Sequence, residues 1–380
     1  MNKYLELTMT HRVDIHGKKM MGWLAPLVLA LTLMVSSCSP ATEGQEGNDA
    51  WVTLTISTGG GAADGGEGMA SRASGSAADK DWQVNDLTIY IFDQTGQVIG
   101  SSYASYGINS KTTITASVKT RKAQNCTVIA LANAGTLSGT YATAQTTSPF
   151  AGVSTLSEFQ QKYITFQDMV SMEGAPCLLM MGKLTGFDTT SSGKSISLQR
   201  LASRLDFTIT VNQDKDTGLP IVVDSYQLCH APLSAFYAPA DMSSTGITLP
   251  SGTSFVEYAA NSTAFNSWTS GSNSKSYTAY VYANPATAQN DATYLLIKAH
   301  SQVSSTDTRK IWESTFKVFL TGITGLSDYQ LLPNYHYTIG ITVQGSATEH
   351  NGVKTQYTAY PYMAGGSISS WTDENRPTDM

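Results

Sequence analysis

Residues that could carry out catalysis are few in this sequence, and their spacing does not favour it. The nearest approach to a nucleophile beside a base is the dipeptide Cys229-His230. Adjacent residues of a strand point to opposite faces of a sheet, so this spacing predicts two side chains that diverge. The sequence has no HExxH, Walker A, GxSxG or dinucleotide-binding pattern, and its histidines are scattered. We therefore predict a protein that is not an enzyme, with no catalytic residue, metal or cofactor.

Tyrosines form a second group of candidates, because an aromatic ring can stack on a sugar. Six of them occur in two stretches: Tyr277, Tyr280 and Tyr282, then Tyr357, Tyr360 and Tyr362. Tyrosine is also a common strand residue whose ring is half-buried. Packing is the expected role of these side chains, and a glycan-binding surface is the alternative.

Cys38 is the residue for which the sequence predicts covalent chemistry. It follows an uncharged apolar stretch, residues 23–35, which is preceded by two lysines and followed by small residues. A basic flank, a short apolar core and small residues before the cut are typical of a secretory signal, and 13 residues are too few to span a bilayer. The cysteine after the small residues resembles the bacterial lipobox. This resemblance implies that residues 1–37 are a lipoprotein signal peptide and that Cys38 is acylated, with palmitate as the expected lipid.

Arg72 is a candidate site of proteolysis. Residues 59–78 are rich in glycine and poor in apolar side chains, so we expect them to form an exposed loop. Arg72 is the lone basic residue of this stretch, and exposed loops are preferred sites of proteolytic cutting. The alternative is a solvated charge without a role.

The pattern on both sides of this loop is that of β-strands. Residues 51–57 alternate apolar and polar side chains, which places Val52, Leu54 and Ile56 on one face of a strand. The pattern resumes from residue 84 with a hairpin that turns at residues 94–96. One helix is predicted at residues 155–163, where Thr155 and Glu158 have the spacing of a capping box.

Composition agrees with a fold built of strands. The 380 residues include 32 glycines and only 14% charged residues, and the remaining polar positions are largely Ser, Thr, Asn and Tyr. Short strands separated by turn-rich spacers predict an all-β protein with one or two short helices and two β-sandwich domains in tandem. The net charge of −6 gives no electrostatic basis for binding nucleic acid.

Several local patterns support a family resemblance when they are taken together. Besides Cys38 and the arginine-bearing loop, they are LTIYIFDQTGQVI (87–99), VIALANAG (128–135), MMGKLTG followed by ISLQRLASRLDFTI (180–209), AYVYANP (279–285) and LLPNYHYTIGITVQG (331–345). In order and spacing the chain resembles the fimbrillins of Bacteroidetes, the FimA-type subunits of type V pili. The resemblance implies two transthyretin-like sandwiches.

The resemblance also implies a mechanism of assembly. A lipidated precursor crosses to the outer membrane, and an arginine-specific protease cuts between Arg72 and Ala73. Residues 38–72 then act as a propeptide carrying a removable strand (Val52, Leu54, Ile56), which completes the N-terminal sandwich of residues 73–203 in the precursor. A strand of a neighbouring subunit fills the vacated edge by donor-strand exchange, in a homopolymer or a mixed filament. The expected protein is a stalk subunit of an adhesive surface fimbrium, with a host glycan or protein as receptor.

The C-terminal sandwich, residues 204–380, ends in a candidate donor strand at residues 353–371. Val353, Tyr357, Ala359 and Met363 share one face of it. The alternative is that this strand completes its own sheet, and both roles can follow one another in time.

Two alternative functions stay open from the sequence. One is a monomeric surface lipoprotein that binds glycans, and the other is a tip or anchor subunit of a pilus. The three cysteines after Cys38, which are Cys126, Cys177 and Cys229, allow one disulfide or three buried thiols.

Overall fold

The protein is represented by a computed structural model, which describes residues 48–58, 84–106, 113–135, 150–165, 178–191, 193–243, 246–269, 271–320 and 329–347, together with the backbone of 353–361 and 371–373. In this part of the chain there are 21 strands, one α-helix and one 3-10 turn at Gln289–Asp291. The prediction of an all-β protein with one or two short helices is confirmed. No helix of the described residues is long and apolar enough to span a membrane.

The first half of the chain supplies one helix and nine strands. In chain order these are β1 (Asp49–Ser57), β2 (Asp86–Phe92), β3 (Val98–Ser105), β4 (Thr113–Arg121), β5 (Cys126–Ala132), α1 (Leu156–Gln160), β6 (Tyr163–Thr165), β7 (Met180–Phe187), β8 (Lys194–Ser197) and β9 (Gln199–Arg200). Two sheets result, with strand orders β4-β1-β8 and β3-β2-β5-β7-β9. Apolar side chains of both sheets meet in one buried cluster, which is the core of an N-terminal sandwich.

The strands β2 and β5 of the five-stranded sheet are buried on both faces. One face of β2 contributes Leu87, Ile89 and Ile91 to the sandwich core, while Phe92 on the other face packs against Phe159, which stacks on Phe150. Strands covered on both sides have near-continuous apolar sequences, as β2 and β5 do.

The helix α1 begins where the capping box predicts. The Thr155 hydroxyl accepts the backbone N–H of Glu158 at 3.2 Å, and the Glu158 carboxylate accepts the backbone N–H groups of Ser154 and Thr155. The helix ends at Gln160, so the expectation of a helix to residue 163 is wrong at its C-terminal end. Tyr163 begins β6, which pairs with a strand of the second half of the chain.

The second half of the chain contains the remaining strands. They are β10 (Ala202–Val211), β11 (Ile221–Cys229), β12 (Ala231–Pro232), β13 (Ser234–Phe236), β14 (Phe255–Val256), β15 (Phe265–Asn266), β16 (Ser274–Tyr282), β17 (Tyr294–Gln302), β18 (Lys310–Phe319), β19 (Tyr335–Val343), β20 (Val353–Pro361) and β21 (Trp371–Asp373). The two main sheets have strand orders β16-β10-β19-β20-β21 and β15-β11-β17-β18, and their apolar side chains share a second buried cluster. Two short ladders, β12-β14 and β13-β6, complete the architecture.

Candidate functional site

The strand β1 is the central strand of its sheet. It pairs antiparallel with β4 over its whole length, from Asp49 opposite Arg121 to Ser57 opposite Thr113. On its other side it pairs in parallel with β8 from Leu54 to Ser57. We call the space that β1 occupies between β4 and β8 the β1 slot. A strand paired on both sides leaves two unpaired edges when it is removed.

The side chains of β1 alternate between the core and solvent as the sequence predicts. Val52 and Leu54 are completely buried and Ile56 is 1% exposed, and all three belong to the core of the N-terminal sandwich. On the other face, Trp51 is 66% exposed, and Thr53 and Thr55 are exposed as well. The sandwich core therefore receives three aliphatic side chains from a strand that precedes the rest of the domain in sequence.

The two ends of the β1 slot differ. At Leu54–Ser57 the strand has a neighbour on each side, and the backbone N–H of Leu198 donates to the carbonyl of Ser57 at 2.7 Å. From Asp49 to Thr53 the described pairing is with β4 alone. The ion pair Lys119–Asp49 at 2.8 Å adds a contact between β1 and β4 at this second end, but both side chains are exposed, so it contributes little stability. The slot is thus closed around Ile56 and open on one side around Val52.

The predicted processing residues lie outside the described part of the chain. Cys38 precedes it, and Arg72 and Ala73 lie in residues 59–83, between β1 and the next described residue, Val84. Acylation of Cys38 and cleavage between Arg72 and Ala73 stay predictions.

The candidate donor strand lies in a home sheet. The strand β20 pairs antiparallel with β19 over nine residues, with Val353 opposite Val343, Tyr357 opposite Ile339 and Ala359 opposite Tyr337. Its other neighbour is the short strand β21. Met363 lies outside the described residues.

The two residues considered for catalysis, Cys229 and His230, are engaged in packing. Burial raises the pKa of the Cys229 thiol, and the ring of His230 stacks on Phe255 with centroids 4.0 Å apart. Cys126 and Cys229 are both buried and free, and Cys177 is outside the described residues. Among the described residues no group of three or more His, Cys, Asp or Glu side chains could hold a metal ion.

The tyrosines considered for glycan binding divide into two sets. Tyr277, Tyr280 and Tyr282 are buried in the core of the second half, with Tyr277 stacked on Phe207, so they pack rather than face a sugar. Tyr357 and Tyr360 belong to β20, of which only the backbone is described, and Tyr362 follows it.

A polar cluster that the sequence analysis did not identify lies beside β20. The Asp206 carboxylate accepts hydrogen bonds from His336 Nε2 at 2.6 Å, Thr278 Oγ1 at 2.7 Å and Arg204 Nε at 3.1 Å. Burial opposes ionisation of this carboxyl, but the three hydrogen bonds outweigh it and lower the pKa of Asp206 to about 2. The residues come from three neighbouring strands, and no sequence pattern links positions that are 130 residues apart.

Comparison with known protein families provides the first link to function. Residues 51–221, which contain β2 to β10 and all but the first two residues of β1, match the family described as "Major fimbrial subunit protein (FimA)". The resemblance to fimbrillins that the sequence motifs indicate is confirmed. This description is of a fimbrial subunit, a structural protein and not an enzyme, and the prediction of a non-enzymatic protein is confirmed with it.

Solved structures share the fold at low sequence identity. A candidate cell adhesion protein from Parabacteroides distasonis is 18% identical, with a TM-score of 0.56 over 78% of this chain and 89% of that chain. A second one from the same organism is 14% identical, with a TM-score of 0.54 over 83% and 99% of the two chains. The tip fimbrial protein Mfa3 from Porphyromonas gingivalis, with C-terminal truncation, is 15% identical, with a TM-score of 0.51 over 82% and 99%. The predicted tandem-sandwich fold is confirmed by these likenesses. The sequence has no match among curated proteins.

Proposed function

We propose that this chain, which is similar to the major fimbrial subunits over residues 51–221, is a stalk subunit of an adhesive surface fimbrium that polymerises by exchange of β1. The observation that carries the proposal is the position of β1. It is a central strand with three buried aliphatic side chains, and it is joined to the rest of its sandwich through the segment that contains Arg72.

The proposed pathway begins with an outer-membrane lipoprotein acylated at Cys38. An arginine-specific protease then cuts between Arg72 and Ala73 and separates residues 38–72 from the N-terminal sandwich (73–203) and the C-terminal sandwich (204–380). Release of β1 exposes the slot, and the subunit passes from the lipid anchor to the growing fimbrium.

The energetics of the slot favour replacement over an empty state. Burial of an aliphatic side chain stabilises a fold by about 1.5–3 kcal/mol, so removal of Val52, Leu54 and Ile56 leaves an unfavourable apolar surface. Loss of β1 also leaves unpaired N–H and C=O groups along β4 and β8. An extended segment with aliphatic side chains at alternate positions satisfies both requirements.

The proposed replacement is residues 353–371 of a second subunit. In its home sheet β20 can leave together with β21 while β16, β10 and β19 keep their mutual pairing. Exchange of the same strand from copy to copy is a head-to-tail contact, and such contacts generate open filaments.

A stalk position is favoured over a tip or anchor position by the presence of both exchange elements in one chain. Arg72 supplies the cleavage point, and residues 353–371 supply the donor. The similarity to a tip protein concerns the fold alone. A host glycan or protein receptor is the proposed partner of the assembled fimbrium.

The test is the N-terminus of the mature protein on cells, determined by mass spectrometry, together with filament assembly of two variants. We expect Ala73 as the N-terminus and no filaments from Arg72→Ala. Ser71→Ala, which keeps the arginine, should assemble normally. An acylated Cys38 N-terminus on assembled protein, or normal filaments from Arg72→Ala, would contradict the proposal and favour a monomeric lipoprotein that binds glycans.

A further inference from the structure

The two strands that border the β1 slot have few other backbone partners. Among the described strands, β4 and β8 are hydrogen-bonded in a sheet to β1 alone. Loss of β1 therefore removes all the sheet hydrogen bonds that set the distance between β4 and β8. Their buried side chains, Ile114 and Val118 on β4 and Ile196 on β8, would then be free to move towards one another over the exposed core. Whether an incoming strand meets an open slot or a closed one depends on what else holds β4 and β8.

A glycine allows β4 to lie in close contact with the opposite sheet. Gly100 lies on β3, and a Cβ atom at this position would lie 2.7 Å from the carbonyl oxygen of Lys119 and 2.9 Å from Cβ of Thr120. The backbones of β3 and β4 are therefore in direct contact, which only glycine permits. The Thr120 hydroxyl adds a hydrogen bond of 3.0 Å to the carbonyl of Ile99. This attachment does not involve β1.

A second glycine allows β8 to lie in close contact with β7 of the same opposite sheet. A Cβ atom on Gly182 of β7 would lie 2.4 Å from Cγ2 of Ile196 and 2.8 Å from the carbonyl oxygen of Ser197. The chain then continues through Leu198 into β9, whose two residues pair with Met180 and Met181 of β7. This attachment is also independent of β1.

We infer that Gly100 and Gly182 are positioning residues that keep the β1 slot two strand spacings wide after β1 has left, so that a strand of a second copy of this chain enters a preformed site. The inference deepens the proposed function, on which it rests for the identity of the incoming strand. The slot walls stay apart because each is held against the five-stranded sheet and not against the other wall. Entry then requires no rebuilding of the sandwich, and it begins at the open end, where Val52 has a described neighbour on one side only.

Slot width can be measured without cleavage or polymerisation. Thr115 on β4 and Ser195 on β8 are both exposed, and both are register partners of Thr55. Across β1 they are about 10 Å apart, two strand spacings, which exceeds the separation of about 7 Å that a disulfide tolerates. If β4 closed on β8, they would become neighbours within disulfide range.

The experiment uses the full chain carrying Thr115→Cys and Ser195→Cys, with and without Leu54→Asp and Ile56→Asp. Two unpaired carboxylates cannot be buried in the core, so these changes expel β1 and empty the slot. We expect no disulfide between the introduced thiols in either chain, and cross-linking in both by a maleimide reagent that spans about 10 Å. A peptide of residues 49–57 should bind the emptied chain, and the same peptide with Leu54→Asp should bind at least tenfold more weakly.

A third chain tests the glycine. Gly100→Ala in the emptied background should allow the disulfide that the emptied chain with Gly100 does not form, because the added methyl group would clash with the backbone of β4 and separate β4 from β3. Ser101→Ala, an exposed position on the same strand, is the matched control and should change nothing. A rapid disulfide in the emptied chain with Gly100 intact would overturn the inference, and so would loss of amide protection across β2 and β5. The proposed function would instead be contradicted if the Arg72→Ala variant assembled into normal filaments. The disulfide measurement does not depend on that variant.

Discussion

Arg200 and Asn334 are 134 residues apart in sequence and in contact within the fold. The Asn334 carbonyl oxygen Oδ1 accepts the backbone N–H of Arg200 at 3.0 Å and its guanidinium Nη1 at 3.3 Å. Arg200 is completely buried and ends the last strand of the N-terminal five-stranded sheet. Asn334 directly precedes β19, the strand that pairs with β20. This contact joins the two halves of the chain close to the proposed donor strand.

We expect Asn334→Gly to lower the free energy of unfolding by about 1–3 kcal/mol, because it leaves buried donors of Arg200 without their acceptor. Glycine is the appropriate replacement since Asn334 has a φ of 61°. Chemical denaturation measures the effect. Asn125→Gly is the matched control, because Asn125 has a φ of 52° and is exposed, and it should leave stability unchanged or slightly raised. Equal effects of the two variants would show that the amide of Asn334 contributes nothing.

The buried face of β1 should determine the stability of the N-terminal sandwich. Leu54→Ala creates a cavity in a closed core and should cost about 2–5 kcal/mol, whereas Thr55→Ala on the exposed face should cost less than about 1 kcal/mol. Hydrogen exchange of the amides of β4 gives the local measurement, because β4 pairs with β1 along its whole length. Similar losses of amide protection in both variants would mean that the buried side chain of Leu54 does not hold β1 against β4.

Acid should weaken the second half of the chain through Asp206. Its pKa is lowered from 3.8 to about 2 in the fold, so its ionised form stabilises the fold above the unfolded value near pH 4. That contribution, about 2 kcal/mol, is lost as the pH falls from about 4 to about 2. We expect Asp206→Asn to be less stable than the parent chain at pH 6 and to differ from it much less at pH 2, in denaturation series at both values. A difference that is constant with pH would exclude the ionised carboxylate as the cause.

The thiol of Cys126 should report whether β1 is seated. Cys126 lies completely buried in the same core as Val52, Leu54 and Ile56, and burial raises its pKa. We expect labelling of Cys126 by a thiol reagent at pH 8 to become at least tenfold faster in the chain with Leu54→Asp and Ile56→Asp.

Cys229 is an internal control for that measurement, because it is buried in the second half of the chain. Its labelling, read separately by peptide mass spectrometry, should not change. Faster labelling of both thiols would indicate general unfolding, and an unchanged rate at Cys126 would show that β1 does not protect it.

Local sequence patterns predicted the elements that depend on neighbours along the chain. Alternation over residues 51–57 identified the strand and its buried face, since successive side chains of a strand point to opposite sides. The spacing of Thr155 and Glu158 identified the start of α1 because both partners of a capping box lie within one turn. The end of the helix was missed, because pairing of Tyr163 with Phe236 draws that residue into a strand.

Pairings between distant segments could not be predicted in this way. Nothing in residues 194–197 indicates that they run parallel to β1, about 140 residues earlier in the chain. The same holds for the hydrogen bond between His336 and Asp206. In the sequence, Gly100 and Gly182 cannot be distinguished from other glycines in strands. Their close contacts with β4 and β8 depend on a second segment of the chain, which the local sequence does not identify.

By itself, then, the sequence determined the strand-rich architecture, the inward face of residues 51–57 and the resemblance that leads to a fimbrial subunit, because each depends on residue type and short-range spacing. Only the tertiary structure decided that this strand is central and not at an edge, that β20 lies in a home sheet beside β19, and that Gly100 and Gly182 lie in close contact with β4 and β8. The physical reason is that sheet order and the distance between packed backbones are set by long-range contacts, which leave no periodic mark on the chain.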